Sequence, residues 1–261
     1  MMRLLSVFAI AAALASLPAL SSPGFAETRI ALVIGNGAYQ SVPPLTNPAN
    51  DASAVAAALR RSGFNTTEAT DLDAHGMQKA TIAFARAARS ADVALFYYTG
   101  HAFQFNGINY LAPVDTILRD KTDLRRMTRV DQIISAKHPN LFILVLDSCR
   151  DNPFAEQLHR SPGSTGAIPP AKGLARLKGN TQHGMIVLYA MQAGKTAEDG
   201  AGSHSPFTAA FLRHIESPRE IGEVFRDISE DVYNATHSQL PELSLSFIGN
   251  FYLNGKKPAT E

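Results

Sequence analysis

Four short runs in this chain are apolar with almost no polar interruption: Arg29–Gly35 (RIALVIG), Val93–Tyr98 (VALFYY), Leu141–Asp147 (LFILVLD) and Met185–Ala190 (MIVLYA). A strand with one wet face alternates apolar and polar residues, so runs of this kind must be covered on both faces. Between them lie segments of helical period. Asn50–Ser62 sets Ala52, Val55, Ala56 and Leu59 on one stripe and stops at Gly63, and Asp73 caps a segment running to about Ser90 with Met77, Ile82, Phe84 and Ala88 as its apolar surface. Strands alternating with helices specify an α/β fold, a mostly parallel sheet with helices on both faces. The same reading expects a second strand at Phe64–Glu68 and a hairpin of Phe103–Phe105 and Asn109–Leu111 around Asn106-Gly107. It also expects helices at about Val130–Lys137, Pro206–Ile215 and Glu220–Thr236, and a last strand over Ser244–Leu253.

In such sheets, ligands bind beyond the carboxyl ends of the strands. Two residues able to do nucleophilic chemistry follow strand ends here. His101 comes just after Val93–Tyr98, and Cys149 just after Leu141–Asp147. A thiolate attacks a carbonyl readily, and a histidine near its own pKa can take the thiol proton and return one to the leaving group. Cys149 is the sole cysteine, so no internal disulfide forms, and on count alone a lone cysteine in an apolar run is a small buried hydrophobe. Its neighbours decide otherwise.

The residues that carry the decision are Tyr97-Tyr98-Thr99-Gly100-His101, then Asn109-Tyr110-Leu111-Ala112-Pro113-Val114-Asp115, then Leu146-Asp147-Ser148-Cys149-Arg150-Asp151-Asn152-Pro153-Phe154. Together with Asn50-Asp51-Ala52, Tyr189-Ala190, Gln192 and Ser205-Pro206-Phe207-Thr208, they resemble the histidine and cysteine blocks of the caspase-like peptidases, in particular bacterial caspase homologues and metacaspases. The resemblance runs from about Arg29 to Leu253, and His101 stands 48 residues ahead of Cys149, close to the caspase separation of roughly 50.

The resemblance implies a caspase-hemoglobinase sheet of about six strands and a cysteine endopeptidase with Cys149 as nucleophile and His101 as acid/base. The backbone N–H groups of Cys149 and of the residue after the histidine would form the oxyanion hole. That residue is usually glycine in the family and is Ala102 here. If the glycine's role needs a left-handed backbone, alanine resists it. A catalytically weak or inactive binding or scaffold protein of the cell envelope is therefore the alternative reading. Members that cleave after Arg or Lys use acidic residues at positions matching Asp51 and Asp147, and paired carboxylates suit a guanidinium. The structural alternatives are a helix N-terminal aspartate for Asp51 and a turn cap for Asp147. Some metacaspases bind calcium; Asp115, Asp131 and Glu156 are the acids that fit, thin support for an ion preferring six to eight oxygens. No required cofactor or metal is expected.

The segment from Arg150 to Gly184 carries Pro153, Pro162, Pro169 and Pro170 among Gly163, Gly166, Gly173 and Gly179 and scattered Arg and Lys, and reads as a long loop, the processing loop that the resemblance implies. The amino end combines Arg3, an apolar run from Leu4 to Leu20, a Pro23-Gly24 break and small residues before Glu27. That order is a signal peptide cleaved after Ala26, with an uncleaved anchor as the alternative, and it sends the chain to the periplasm or out of the cell. A catalytic domain over residues 27–255 and a tail of 256–261 remain. Removing residues 1–26 takes away one arginine, so the formal net charge falls from +1 to 0. Such a chain has no general pull on nucleic acid or anionic lipid, and its expected partners are protein or peptide substrates.

Other chemistry finds no constellation. Gly35-Asn36-Gly37 hints at a nucleotide loop, but Gln40 stands where a third glycine belongs. His75, His138, His159, His183, His204, His214 and His237 lack paired spacing and read as surface residues.

Overall fold

A computed structural model describes residues 27–135, 139–149, 174–175, 177, 184–192, 200 and 202–255. The expected signal peptide over residues 1–26, most of the expected loop after Cys149 including Glu156, and the expected tail of 256–261 fall outside the described residues. The apolar runs form strands β1 (Arg29–Gly35), β3 (Val93–Phe105), β6 (Leu141–Cys149) and β7 (Gly184–Tyr189). With β2 (Asn65–Thr70) and β8 (Glu242–Ser246) they make a sheet of order β2-β1-β3-β6-β7-β8. Neighbours are parallel throughout except β7 and β8. Two short strands, β4 (Ile108–Leu111) and β5 (Thr128–Arg129), extend from β3 as an antiparallel annex.

Alternation along the strands sorts the core into two layers. Ala31, Val33, Leu95, Tyr97, Ile143 and Val145 pack on one face with helices α1 (Pro48–Arg61), α4 (Pro206–His214) and α5 (Ile221–Thr236). Leu32, Ile34, Phe96, Tyr98, Leu144 and Leu146 pack on the other with α2 (Ala74–Ala88) and α3 (Val130–Ser135). Each fully buried Leu, Ile or Phe contributes about 1.5–3 kcal/mol, which is why strands with no polar residue at their centre lie in the middle of the sheet. The edge strand β2, with the sequence NTTEAT, is half exposed; Phe64, expected to begin it, is buried just before it.

Three expectations shift. β3 does not stop at Tyr98: it continues through His101, laddered with β6, and then pairs with β4. The hairpin forms around Asn106 and Gly107, both at positive φ as its tight turn requires, but its first arm is the end of β3 itself. The last strand is Glu242–Ser246 rather than Ser244–Leu253: it starts two residues earlier and ends where pairing with β7 ends. A 3-10 helix, Lys121–Arg126, and β5 carry no periodic signal and were not expected. Among the described residues no helix is long and apolar enough to cross a membrane.

Candidate active site

The continuation of β3 determines the site. Its register against β6 runs Thr99 to Asp147, Gly100 to Ser148 and His101 to Cys149, so positions 101 and 149 are lateral neighbours on adjacent parallel strands, about 4.8 Å apart in the ladder direction. Both were expected in loops just past the strand ends; both instead are strand residues. Gly100 permits this. It adopts φ +146°, and a Cβ on it would lie 2.7 Å from the Tyr39 hydroxyl and 2.8 Å from that of Tyr98.

Those two hydroxyls hold the peptide units around His101. The His101 N–H donates to the Tyr39 hydroxyl (2.8 Å), and the Tyr98 hydroxyl donates to the His101 carbonyl (2.9 Å). The Tyr39 ring also lies against the imidazole at a centroid distance of 4.4 Å. His101 is 6% exposed, and its Nε2 is 3.0 Å from the Pro43 carbonyl oxygen. A carbonyl can only accept, which assigns the proton to Nε2 and leaves Nδ1 as the basic nitrogen of the neutral ring. Pro43 was missed in the sequence, and no side-chain signal could have revealed it, because the group it supplies belongs to the backbone.

Tyr39→Phe keeps the ring contact and removes the acceptor for the His101 N–H. It is expected to cost about 1 kcal/mol of stability. Urea unfolding beside the wild type reads this cost, and an unchanged unfolding midpoint would mean that the His101 N–H finds another acceptor.

The Ala102 backbone is extended, and its φ is not among the positive values, so the left-handed strain expected from alanine does not arise. The Ala112 N–H donates to the His101 carbonyl (3.0 Å), which makes Ala102 and Leu111 a non-hydrogen-bonded pair. The Ala102 N–H therefore turns away from β4, toward the edge of β3 shared with β6.

The two predicted acids come together on the α1/α4 face. Gly35 lets the start of α1 approach the end of β1; a Cβ there would meet the Pro48 carbonyl oxygen at 2.1 Å. This packs Asp51, in the first turn of α1, against the sheet at 0% exposure. Asp147 is 4% exposed and sits within β6 rather than capping a turn. Ser205, the N-cap of α4, bridges the pair. Its N–H lies 3.4 Å from both Asp51 oxygens, and its hydroxyl donates to Asp147 Oδ2. Thr208 Oγ1 donates to the same oxygen (2.7 Å) and is hydrogen-bonded to the Tyr97 hydroxyl. Burial, then the charges of Asp147 and Asp51, hold the Tyr97 phenol well above its ordinary pKa, so it remains a donor.

His204 was read as a surface residue, and here the structure corrects the sequence. Its Nδ1 donates to Asp51 Oδ1 at 2.8 Å. His214 likewise bonds Asp231, through Nε2 at 2.7 Å. Part of the long loop is also anchored: Asn109 Nδ2 donates to the Ala175 carbonyl (2.8 Å) while its Oδ1 accepts from the Ala175 N–H (2.7 Å), and Leu174 is buried in the core.

The acids considered for calcium are engaged by arginines, Asp115 by Arg126 (2.8 Å) and Asp131 by Arg129. Among the described residues no three His, Cys, Asp or Glu side chains gather as a metal set. In the loop after β1, the Gly37 and Ala38 N–H groups that a phosphate would need both donate to Asp71 Oδ1 (2.8 and 2.9 Å).

The family model Peptidase C14, caspase domain, matches residues 28–252. The human mucosa-associated lymphoid tissue lymphoma translocation protein 1 is 27% identical over 126 residues, and its mouse homolog likewise; the match takes in 48% of this chain and 15% of each of those proteins. Among solved structures, caspase-1 from Spodoptera frugiperda superposes with a TM-score of 0.60 at 16% identity, covering 90% of this chain and 93% of that one. Protein GSU0716 from Geobacter sulfurreducens gives 0.59 at 15% identity, covering 88% and 98%. The Drosophila initiator caspase Dronc gives 0.59 at 13% identity, covering 89% and 87%. At these identities the superpositions speak to the fold.

Proposed function

This chain belongs to the caspase-domain peptidases of the C14 type, and from that premise we propose that it is a cysteine endopeptidase cutting peptide bonds after Arg or Lys, with Cys149 as nucleophile and His101 as acid/base. The observation that supports the reading most is the in-register pairing of His101 with Cys149 on adjacent strands. His101 Nδ1 takes the thiol proton, the thiolate adds to the carbonyl carbon, and the protonated imidazole returns the proton to the leaving amine. A water then attacks the thioester by the reverse use of the same nitrogen. The Pro43 carbonyl, accepting from Nε2, orients the ring and stabilises it while it carries the positive charge. The N–H groups of Ala102 and Cys149 are assigned to the oxyanion, and the extended backbone of Ala102 favours this over the inactive-scaffold reading.

The buried pair Asp51 and Asp147, bridged by Ser205, supports a basic residue before the cleaved bond, since a carboxylate pair favours a guanidinium or ammonium. The apolar run before Glu27 supports work outside the cytoplasm.

A fluorogenic arginine peptide, with and without calcium, beside a Cys149→Ala control tests the reading; absence of any Cys149-dependent signal would refute it. Ala102→Gly is expected to leave turnover within about twofold and to cost about 0.5–1 kcal/mol of stability, because it adds freedom to a strand already in the needed conformation. A large gain in kcat would mean that the alanine distorts the oxyanion site.

A further inference from the structure

The carboxylate pair is not open. Asp51 has no exposed surface, and Nδ1 of His204 sits 2.8 Å from its Oδ1. The His204 side chain is itself 27% exposed, so it spans from solvent to the buried acid. We propose that His204 is a specificity gate, an internal stand-in for the substrate's basic side chain that must leave Asp51 before an arginine or lysine can bind. This rests on the reading that Asp51 and Asp147 receive that side chain.

Three features carry it. The first is chemical likeness. An imidazole N–H on a carboxylate oxygen makes the same contact that one guanidinium or ammonium N–H would make, so the two compete for one acceptor. The second is placement. Ser205 is fixed as the N-cap of α4 by its bonds to Thr208 N–H, Asp147 and Asp51, and Pro206 sets the first helical position, whereas His204 lies one residue outside that anchored turn. Its side chain can rotate off Asp51 without disturbing the Ser205 bridge. The third is the surroundings that would remain. With His204 withdrawn, the cation would meet Asp51 from α1 and Asp147 from β6, with the Tyr97 and Thr208 hydroxyls behind them.

A gate of this kind raises discrimination. A neutral side chain such as that of citrulline offers Asp51 only an uncharged N–H in exchange for the imidazole, and an aliphatic one offers none. A cation replaces the lost bond with a stronger one. Basic substrates therefore bind somewhat more weakly than they would to an open pocket, and neutral ones are weakened by more.

Benzamidine, which carries an amidinium and no cleavable bond, is the probe that does not depend on turnover. Its dissociation constant is measured by calorimetry on the parent, His204→Ala and His204→Lys, while the His204 ring resonances are followed by NMR in the parent. His204→Ala is expected to bind about five- to thirtyfold more tightly and His204→Lys about tenfold more weakly, with the imidazole signals of the parent shifting at saturation. Arginine and citrulline peptides are assayed alongside. In His204→Ala the KM for arginine should fall by a similar factor with kcat unchanged, and the preference for arginine over citrulline should narrow. Equal benzamidine affinity in parent and His204→Ala overturns the gate while leaving the acidic pocket standing. Failure of benzamidine to bind any of the three overturns both. Arginine-specific hydrolysis with a KM indifferent to residue 204 overturns the gate alone.

Discussion

Cys149→Ala is expected to abolish peptide hydrolysis, a loss of at least about a thousandfold, and His101→Ala to do the same, because neither half of the pair turns over without the other. The two variants should differ in stability. Cys149→Ala removes one sulfur, whereas His101→Ala empties a buried position beside the Tyr39 ring and leaves the Pro43 carbonyl without its donor, at a cost of about 1–3 kcal/mol. Strand placement makes this distinction necessary: a loop histidine could be truncated without such a penalty. Peptide turnover should therefore be normalised to folded protein from near-UV circular dichroism. Cleavage by purified Cys149→Ala at the parent rate would refute the nucleophile assignment.

The second large effect is expected at the acids. Asp51→Asn should cut cleavage after Arg and Lys by roughly thirtyfold or more, corresponding to about 2 kcal/mol or above for a buried charge pair lost to the substrate. Its shape and its acceptance of the Ser205 N–H survive, so stability should change little. Asp147→Ala has a heavier consequence. Asp147 Oδ2 accepts from Ser205 and Thr208, with the Tyr97 hydroxyl 3.5 Å away, and removing the carboxylate strands buried hydroxyls at about 1–3 kcal/mol each. Loss of specificity and loss of stability should therefore appear together in Asp147→Ala, while Asp147→Asn retains more of the fold. A peptide panel with Arg, Lys, Asp and Leu before the cleaved bond, read beside urea unfolding, separates the two. Unchanged preference across the panel in every variant would mean that the acids serve only to dock α4.

What the sequence revealed and what it hid follow from the kind of signal each feature leaves. The central strands were legible because burial on both faces forces unbroken apolar runs, as in VALFYY and LFILVLD. Their true ends were not. β3 runs on through Thr99, Gly100 and His101 because β6 pairs those residues in register, and pairing partners leave no trace in local periodicity. His101, Cys149 and the two aspartates could be picked out through motif blocks and strand position. The support around them was harder to see. The Pro43 carbonyl is backbone, the Tyr39 hydroxyl acts across 62 positions of chain, and His204 sits 153 positions from the acid it touches. A histidine without a spaced partner looks like surface until the fold brings Asp51 to it. The left-handed backbone considered at Ala102 could not be placed from the sequence either; the positive φ falls two residues earlier, on Gly100.

The ladder that joins His101 to Cys149 has a consequence for how the protein comes apart. Residues on mobile loops can lose their geometry while the rest stays folded, but the amides around this pair belong to the central strands of the sheet, backed by helices on both sides and tied by the tyrosine hydroxyls. Segments of that kind exchange their protons only when the whole domain opens. His101 and Cys149 thus belong to the most slowly opening part of the molecule, and mild heat or denaturant that loosens the periphery leaves their register in place until the domain itself is lost.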